Sequence, residues 1–323
     1  MTTDALATLG SSIRRVNWAN YVVYIGFVIV FIYFAVTETE YFLNSTNITN
    51  IAIQAAPITV MAIGMVFVMS AGEIDLSIGS VVALSALSAA ETLQHTDQWW
   101  LAAGVGLAVG VLVGLFNGIF VTRVRLPSFL VTLATLGIVA GMARELTDLQ
   151  SVPVTNDTFI AVFGGGKLLG VSVLIWWTAA AVLFGWVLLR QMRYGAHVLA
   201  VGNSQAAARV NGIKVNRVRL MTLVGCATAA ALSGLLYAGR LEGARYSLGE
   251  TDLMTVIAAV IVGGTSLFGG KGSVIGALVG SLLMSMINNG LILAGLDVSQ
   301  QMIVRGVIIL IAVSLSLRER KRN

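Results

Sequence analysis

The sequence predicts an all-α fold, a polytopic transmembrane helical bundle of about ten spans with an inverted internal repeat. Two observations lead to the transmembrane bundle. The 323-residue chain is 57% hydrophobic and only 11% charged, whereas about a quarter of the residues in a soluble domain are charged. Apolar stretches of about 17 to 25 residues, the length that a helix needs to cross hydrocarbon, recur along the chain. The composition therefore excludes a soluble globular protein.

The apolar stretches can be placed in order along the chain. They cover residues 19–36, 51–71, 76–93, 99–122, 128–143, 168–189, 218–239, 252–268, 273–294 and 300–317. Because this number of spans is even, both ends of the chain lie on the same side of the membrane.

Positive charge orients these spans. With a cytoplasmic N-terminus, 15 of the 20 Lys and Arg residues fall on the cytoplasmic side and four fall on the outer side. Such an excess is typical of cytoplasmic loops, so orientation, and not nucleic-acid binding, explains the net charge of +5. We expect a cytoplasmic segment at 1–18, a single membrane domain at 19–317 and a basic cytoplasmic tail at 318–323.

Glycines recur every four residues in two of the spans. The first series is Gly106, Gly110, Gly114 and Gly118, and the second is Gly272, Gly276 and Gly280. Small residues at this spacing allow helix backbones to approach closely inside a membrane. We therefore expect tight helix packing along both series.

An Asn-Gly pair indicates the internal repeat. It occurs as Asn117-Gly118 and again as Asn289-Gly290, and each copy is followed nine residues later by a predicted helix start. The offset between the copies covers five spans, an odd number, so one copy must run inverted, as in many transporters. Under this offset EIDLSIGS corresponds to RYSLGETD, and the two acidic breaks should approach the centre from opposite sides. Chance similarity between two glycine-rich segments is the alternative.

The polar residues give little support for a catalytic or metal site. One cysteine and two distant histidines cannot form a disulfide framework or a thiolate cluster, so we expect no metal and no cofactor. The stretch TSLFGGKGS mimics a phosphate-binding loop, but Thr265 replaces the first glycine and Gly272 replaces the magnesium-binding hydroxyl residue. We expect no enzyme activity, and a partner must supply the energy for transport.

Two carboxylates interrupt an apolar run. The stretch VMSAGEIDLSIGS places Glu73 and Asp75 there without a neighbouring Lys or Arg. Charges inside a membrane usually line a cavity or a pathway, and irregular backbone is tolerated at membrane depth only where it is buried in protein or faces water. Two interpretations stay open: a gate or path element between the second and third spans, and a short acidic cytoplasmic turn.

Four stretches resemble, in order and spacing, the permease subunits of ribose-type sugar ABC importers, whose relatives serve xylose, arabinose, galactose and autoinducer-2. They are EIDLSIGSV, LPSFLVTLATLGIVAGMA, MRYGAHVLAVGNSQAAARVNGIKV and IAAVIVGGTSLFGGKGSVIGALVGSLLMSMINNGL. The resemblance implies a homodimer in the lipid of a bacterial plasma membrane that passes a monosaccharide, or a related small polyol or sugar signal. It also implies a cytoplasmic ATPase and an extracytoplasmic sugar-binding protein as partners.

In this family the loop after the sixth span carries a coupling helix that docks on the ATPase. The resemblance places it at 201–212, within the loop 190–217, with the candidates Gly202, Ala206, Ala207, Ala208, Arg209 and Gly212. The chain departs from the family pattern twice, because Ala206 stands at a position that is usually Glu and Glu73 stands at one that is usually Gly. From the residues alone, an alternative is a basic loop that lies on anionic headgroups.

A sugar path needs polar side chains on otherwise apolar spans, and neutral Asn and Thr suit a transporter that must release its substrate. The candidates are Glu73, Asp75, Ser77, Asn117, Thr132, Thr135, Asn288 and Asn289. We expect the long outer connection 145–167 to meet the binding protein. Two alternatives are a proton-coupled secondary transporter with Glu73 and Asp75 as a relay, and a permease for branched-chain amino acids in a related ABC importer.

Overall fold

Helices form most of the chain. The computed structural model describes residues 22–310, except 298, 305 and 309. The N-terminal segment 1–18, the basic tail 318–323 and the last part of the tenth predicted span lie outside these residues. The helices up to the sixth predicted span are α1 (Val22–Thr37), α2 (Thr39–Phe42), α3 (Ser45–Ser70), α4 (Ile78–Thr96), α5 (Trp99–Ile119), α6 (Ser128–Glu145), α7 (Asp157–Phe163) and α8 (Val173–Trp186).

The remaining labelled helices are α9 (Arg193–Asn203), α10 (Gln205–Val210), α11 (Val215–Leu241), α12 (Asp252–Val262) and α13 (Val274–Leu293). A π-helical turn extends α5 over Phe120–Val124 and another extends α8 over Val187–Gln191. Two pairs of two-residue strands occur in the connections. β1 (Val152–Pro153) pairs antiparallel with β4 (Gly243–Ala244), and β2 (Lys167–Leu168) pairs antiparallel with β3 (Val171–Ser172).

The helices α3 and α11 form the centre of the bundle. Every residue of α3 from Ala55 to Ser70 is buried, as expected of a helix that is apolar on all sides. The glycine series of α5 packs directly on α11. A Cβ atom at Gly110 would lie 2.5 Å from Cβ of Ala231, and one at Gly114 would lie 2.6 Å from Cα of Val224. The expected tight packing is confirmed for this series.

The predicted number of ten spans is not confirmed. Six helical segments of the described residues are long and apolar enough to cross a membrane, and α1 and α12 are shorter apolar helices. The predicted span 252–268 is too long, because α12 ends at Val262 and Gly264 then takes a φ of +86°. The predicted span 168–189 begins too early, because residues 167–172 form the β2–β3 hairpin.

Helix positions repeat along the chain at nearly the offset that separates the two Asn-Gly pairs. Helices α3, α4 and α5 begin at positions 45, 78 and 99. Helices α11, α12 and α13 begin in the same order at positions 215, 252 and 274. The two breaks also meet, because a Cβ atom at Gly79 would lie 2.7 Å from the carbonyl oxygen of Gly249.

Candidate translocation gate and coupling segment

The break between α3 and α4 starts with a regular helix end. Gly72 takes a φ of +78°, its N–H donates to Met69 O over 2.9 Å, and Glu73 N–H donates to Val68 O over 3.0 Å. This is the Schellman arrangement, in which a left-handed glycine satisfies the last helical carbonyls. The chain then runs without helical structure to α4, so the acidic residues lie on a defined connection between two buried helices.

Asp75 holds the start of α4. Its Oδ1 accepts hydrogen bonds from Ser77 N–H over 2.9 Å and from Ser77 Oγ over 2.6 Å, and both residues are fully buried. A carboxylate at a helix N-terminus is stabilised by the free N–H groups and by the helix dipole. The second oxygen, Oδ2, is buried and has no hydrogen-bond partner among the described residues.

A chain of hydrogen bonds leads from Asp75 across two further helices. Asn117 Nδ2 of α5 donates to Ser77 Oγ over 3.0 Å, and Thr135 Oγ1 of α6 donates to Asn117 Oδ1 over 2.6 Å. Thr132 Oγ1, one turn earlier on α6, donates to Ile74 O over 3.2 Å. The structure therefore brings together five of the eight predicted path candidates in one buried cluster, which we call the gate cluster: Asp75, Ser77, Asn117, Thr132 and Thr135.

Glu73 has a cationic partner that its sequence neighbours do not show. Arg219 Nε, on the second turn of α11, donates to Glu73 Oε1, and the two side chains are only 14% and 4% exposed. The expectation that the carboxylate lacks a nearby cation is wrong for Glu73, because the partner lies 146 residues away in sequence. The only sequence signal for it was an arginine placed at the start of an apolar span.

The remaining path candidates lie elsewhere. Asn289 of α13 forms a reciprocal pair of amide hydrogen bonds with Asn47, over 3.0 and 2.9 Å, and Asn288 is the preceding, half-buried residue. Asn47 is on the first turn of α3, whereas the gate cluster adjoins its last turn. At 1.5 Å per residue, these two sites are roughly 35 Å apart along the helix. The predicted set therefore divides into two groups at opposite ends of α3.

The predicted coupling helix at 201–212 is two shorter elements. Helix α9 ends at Asn203, Ser204 is extended, and α10 covers only Gln205–Val210. Ser204 Oγ caps α10 by accepting a hydrogen bond from Ala207 N–H over 3.3 Å, a role typical of serine. In α10 Ala208 is buried, whereas Ala206, Ala207 and Arg209 are exposed; the exposed Gly212 follows with a φ of +78°.

Val210 is a functional candidate that the sequence interpretation missed. It ends α10 and is 90% exposed. Single exposed apolar side chains are common on protein surfaces, so Val210 is a candidate because it lies on the predicted coupling segment. Its position directly after the run of alanines and Arg209 was the available signal.

Gly202 belongs to a close backbone contact, which we call the glycine junction. A Cβ atom there would overlap the carbonyl oxygen of Ser70 and lie 2.6 Å from Gly270 N, and Gly270 N–H donates to the same Ser70 oxygen over 3.0 Å. The junction joins the end of α3, helix α9 and the loop 263–273. Gly269 and Gly270 in that loop have φ values of +88° and +79°, which glycine adopts without strain.

Helix α9 is also attached to α3 through an aromatic contact. The rings of Tyr194 and Phe67 stack with centroids 6.0 Å apart. Burial raises the pKa of Tyr194 to about 12, so the phenol stays protonated at physiological pH. This contact and the glycine junction attach α9 to the last turns of α3, directly before the break.

The chain is similar to permease proteins of known families. The family model for the permease component of branched-chain amino acid transport systems matches residues 47–313. The ribose import permease protein RbsC of Escherichia coli strain K12 is 35% identical over 280 residues, which are 86% of this chain and 87% of that protein. RbsC of Bacillus subtilis is 35% identical over 283 residues, 87% of each chain.

A relative with a different printed sugar is similarly close. The L-arabinose ABC transporter permease protein AraH of Azospirillum brasilense is 34% identical over 305 residues, which are 92% of this chain and 87% of that protein. No solved structure gives a significant match to the chain.

Proposed function

Because the chain belongs to the family of ribose-type sugar ABC importer permeases, we propose that it passes a monosaccharide, or a related small polyol or sugar signal, across the bacterial plasma membrane under the power of a separate ATPase. The observation that carries this proposal is the glycine junction. The junction attaches α9 to the end of α3, and the exposed helix α10 directly follows α9. Helix α3 in turn leads directly into the gate cluster.

The mechanism follows from these connections. The ATPase binds α10 through Val210 and the neighbouring Arg209, and its movement displaces α9. The glycine junction transmits that displacement to Ser70, and the break beyond it moves relative to α5 and α6. Asp75 Oδ2 has no partner among the described residues in the closed arrangement, so opening of the gate cluster exposes an acceptor for a sugar hydroxyl at little cost in lost hydrogen bonds.

As the substrate of this permease, we favour a sugar over a branched-chain amino acid. Relatives whose printed names specify a sugar include ribose, L-arabinose and D-allose permeases. The gate cluster supplies hydroxyl, amide and carboxylate groups, which pair with sugar hydroxyls, whereas a free amino acid also needs groups for its own ammonium and carboxylate. Proton coupling through Glu73 is disfavoured because Arg219 neutralises that carboxylate.

The working unit is proposed to be a homodimer that uses α6. Cβ atoms at Gly137 and Gly141 would have no neighbour within 4 Å, and Leu133, Ile138 and Met142 are exposed on the same helix. Small residues four apart allow a second helix to pack closely. The same helix carries Thr132 and Thr135 of the gate cluster, so this contact places the two clusters of a dimer next to the subunit boundary.

The remaining partners follow from the orientation. The excess of basic residues in 190–217 supports a cytoplasmic position for α10, and hence cytoplasmic ends of the chain. The outer connection 145–167 is then available to the sugar-binding protein. It is held in place by Gln94 Nε2, which donates to Pro153 O over 2.8 Å, and by Asn156 Nδ2, which donates to Asp97 O over 2.9 Å.

The ATPase contact is tested by substitution of Val210. We expect Val210→Asp to abolish co-purification of the ATPase from cells that express both subunits, because the substitution puts a charge into an apolar contact. The permease itself should keep its expression level and unfolding temperature, since the side chain is 90% exposed. Leu169→Asp, at an 85% exposed position on the β2–β3 hairpin, is the matched control and should retain the ATPase. Retention by Val210→Asp would contradict the contact.

A further inference from the structure

A basic cavity of about 610 Å³ lies beside the coupling segment. Its lining includes Thr122, Arg125, Arg209, Lys214, Arg217 and Arg219, and no Asp or Glu among the described residues contributes to it. Arg219 is paired with Glu73, whereas the other four cations form no ion pair within the part of the chain that the structure describes. These four cations are exposed and line one cavity, so an anion placed there gains attraction from all of them.

The cavity lies where two membrane spans end. Thr122 and Arg125 are at the end of the candidate span Trp99–Val124, and Arg217 and Arg219 are on the first two turns of the candidate span Val215–Leu241. The ends of spans are at the depth of the lipid headgroups. The cavity is therefore within reach of the phosphates of the cytoplasmic leaflet.

An apolar strip leads along α5 toward the same end. Phe116, Phe120 and Val124 recur every four residues, so they share one face of the helix, and all three are exposed. The rings of Phe116 and Phe120 have centroids 4.7 Å apart. A strip of this kind offers contact area to the acyl chain of a lipid. A free phosphate ion and an acidic protein surface have no acyl chain that could use it.

We propose that this cavity binds the phosphate of an anionic phospholipid, whose acyl chains lie on the strip of α5. Arginine suits this ligand, because its planar guanidinium donates two parallel hydrogen bonds to phosphate oxygens. The bound headgroup sits between the cytoplasmic end of α5 and the segment that joins α10 to α11. It therefore stabilises the loop behind the coupling segment, which makes the anionic lipid content of the membrane a regulator of the permease.

The test compares two variants that each lose two positive charges. R125Q/R217Q removes lining residues that the ATPase contact does not use, and R123Q/R193Q removes two exposed arginines outside the lining. The purified permease is mixed with fluorescently labelled phosphatidylglycerol in neutral detergent. We expect the affinity of R125Q/R217Q to fall by about tenfold or more, at roughly one kcal/mol for each basic side chain, and that of R123Q/R193Q to stay within about twofold of the unchanged protein. Equal losses in the two variants would show unspecific attraction and overturn the proposal.

Three further measurements separate the sources of the anion. Inorganic phosphate at millimolar concentration should not displace the labelled lipid, and F120S should weaken lipid binding while leaving the four cations in place. Displacement by phosphate would overturn the proposal of a lipid. Lipid affinity that survives in R125Q/R217Q, together with loss of the ATPase, would assign the cavity to the ATPase and also overturn it. Unfolding temperatures of all variants identify any that fail to fold. If R125Q/R217Q fails to fold, K214Q, which also removes a lining cation, replaces it with the same expected direction.

Discussion

Glu73 and Asp75, two residues apart, have different partners. Arg219 neutralises Glu73 and ties the break to α11, whereas Asp75 uses one oxygen for Ser77 and leaves the other without a partner among the described residues. A buried ion pair loses much of its attraction to desolvation, but removal of one partner leaves a buried charge. The pair therefore fixes the position of the break more than it raises overall stability.

The ion pair predicts that loss of Arg219 alone destabilises the protein more than simultaneous loss of both charges. Arg219→Gln should destabilise the permease by about 3–5 kcal/mol, because it leaves Glu73 buried and unpaired. The double variant Glu73→Gln with Arg219→Gln should recover most of that loss, since two neutral amides can remain together. Unfolding of the detergent-solubilised protein, followed by circular dichroism, measures both effects. The exposed Arg193→Gln is the control, and an equally unstable double variant would contradict the pairing.

The sequence located part of the candidate site at the residue scale. Polar residues on apolar spans have few favourable places in a membrane, so Asp75, Ser77, Asn117, Thr132 and Thr135 were among the eight path candidates. The same argument could not separate Asn289, because its partner Asn47 is set by the packing of α13 on α3. Arg219 was missed for the same reason, since its contact with Glu73 depends on the placement of two distant elements.

At the scale of elements, the glycine junction connects the proposed coupling segment with the gate cluster. Ser70 ends α3, Gly202 is the second-last residue of α9, and Gly270 belongs to the loop before α13. Backbone contacts of this closeness transmit displacement better than flexible side chains do. The junction accounts for Gly269 and Gly270 in GGTSLFGGKGS and for Gly202 in VGNSQAAARVNG.

Gly202→Ala tests the junction. A single methyl group would overlap the Ser70 carbonyl, so we expect a loss of stability of about 1–3 kcal/mol and a larger loss of ATP-driven uptake. Gly225→Ala on α11 is the control, because a Cβ atom there meets nothing within 4 Å. Thermal unfolding and uptake into vesicles are measured on the same preparations. Uptake of Gly202→Ala at the level of Gly225→Ala would show that the junction transmits nothing.

Helix boundaries show the limit of sequence interpretation at this scale. Hydrophobicity predicted α12 to continue to residue 268, but the left-handed glycines of the loop 263–273 end it earlier. The segment 201–212 was predicted as one helix, but the extended Ser204 divides it. In both cases a local backbone conformation, which composition does not encode, overrides an apolar or Ala-rich pattern.

For the whole molecule, the two Asn-Gly pairs predicted a repeat whose offset matches the nearly constant offset of the helix starts, while its inverted orientation stays a prediction. The number of spans was not predictable, because α1 and α12 are shorter than the six helical segments that satisfy length and composition. An apolar run in the sequence shows that a membrane span is possible, but packing and glycines determine how much of the run is helical.

The proposed homodimer through α6 predicts a specific cross-link. Gly141→Cys adds a thiol where a Cβ atom meets no neighbour within 4 Å, so two copies should form a disulfide-linked dimer on mild oxidation in membranes. Gly104→Cys, an equally open and exposed position on α5, is the matched control and should stay monomeric. The native Cys226 is buried and does not interfere. Dimers of the control alone would place the subunit contact on a different helix.

Reconstituted uptake tests the central claim most directly. The permease, its ATPase and its sugar-binding protein are placed in liposomes, and labelled ribose, arabinose and allose are offered from the side of the binding protein. Uptake of at least one sugar should require ATP and the binding protein, and it should persist when a protonophore collapses the proton gradient. Uptake by the permease alone that a protonophore abolishes would contradict the account and establish a proton-coupled transporter.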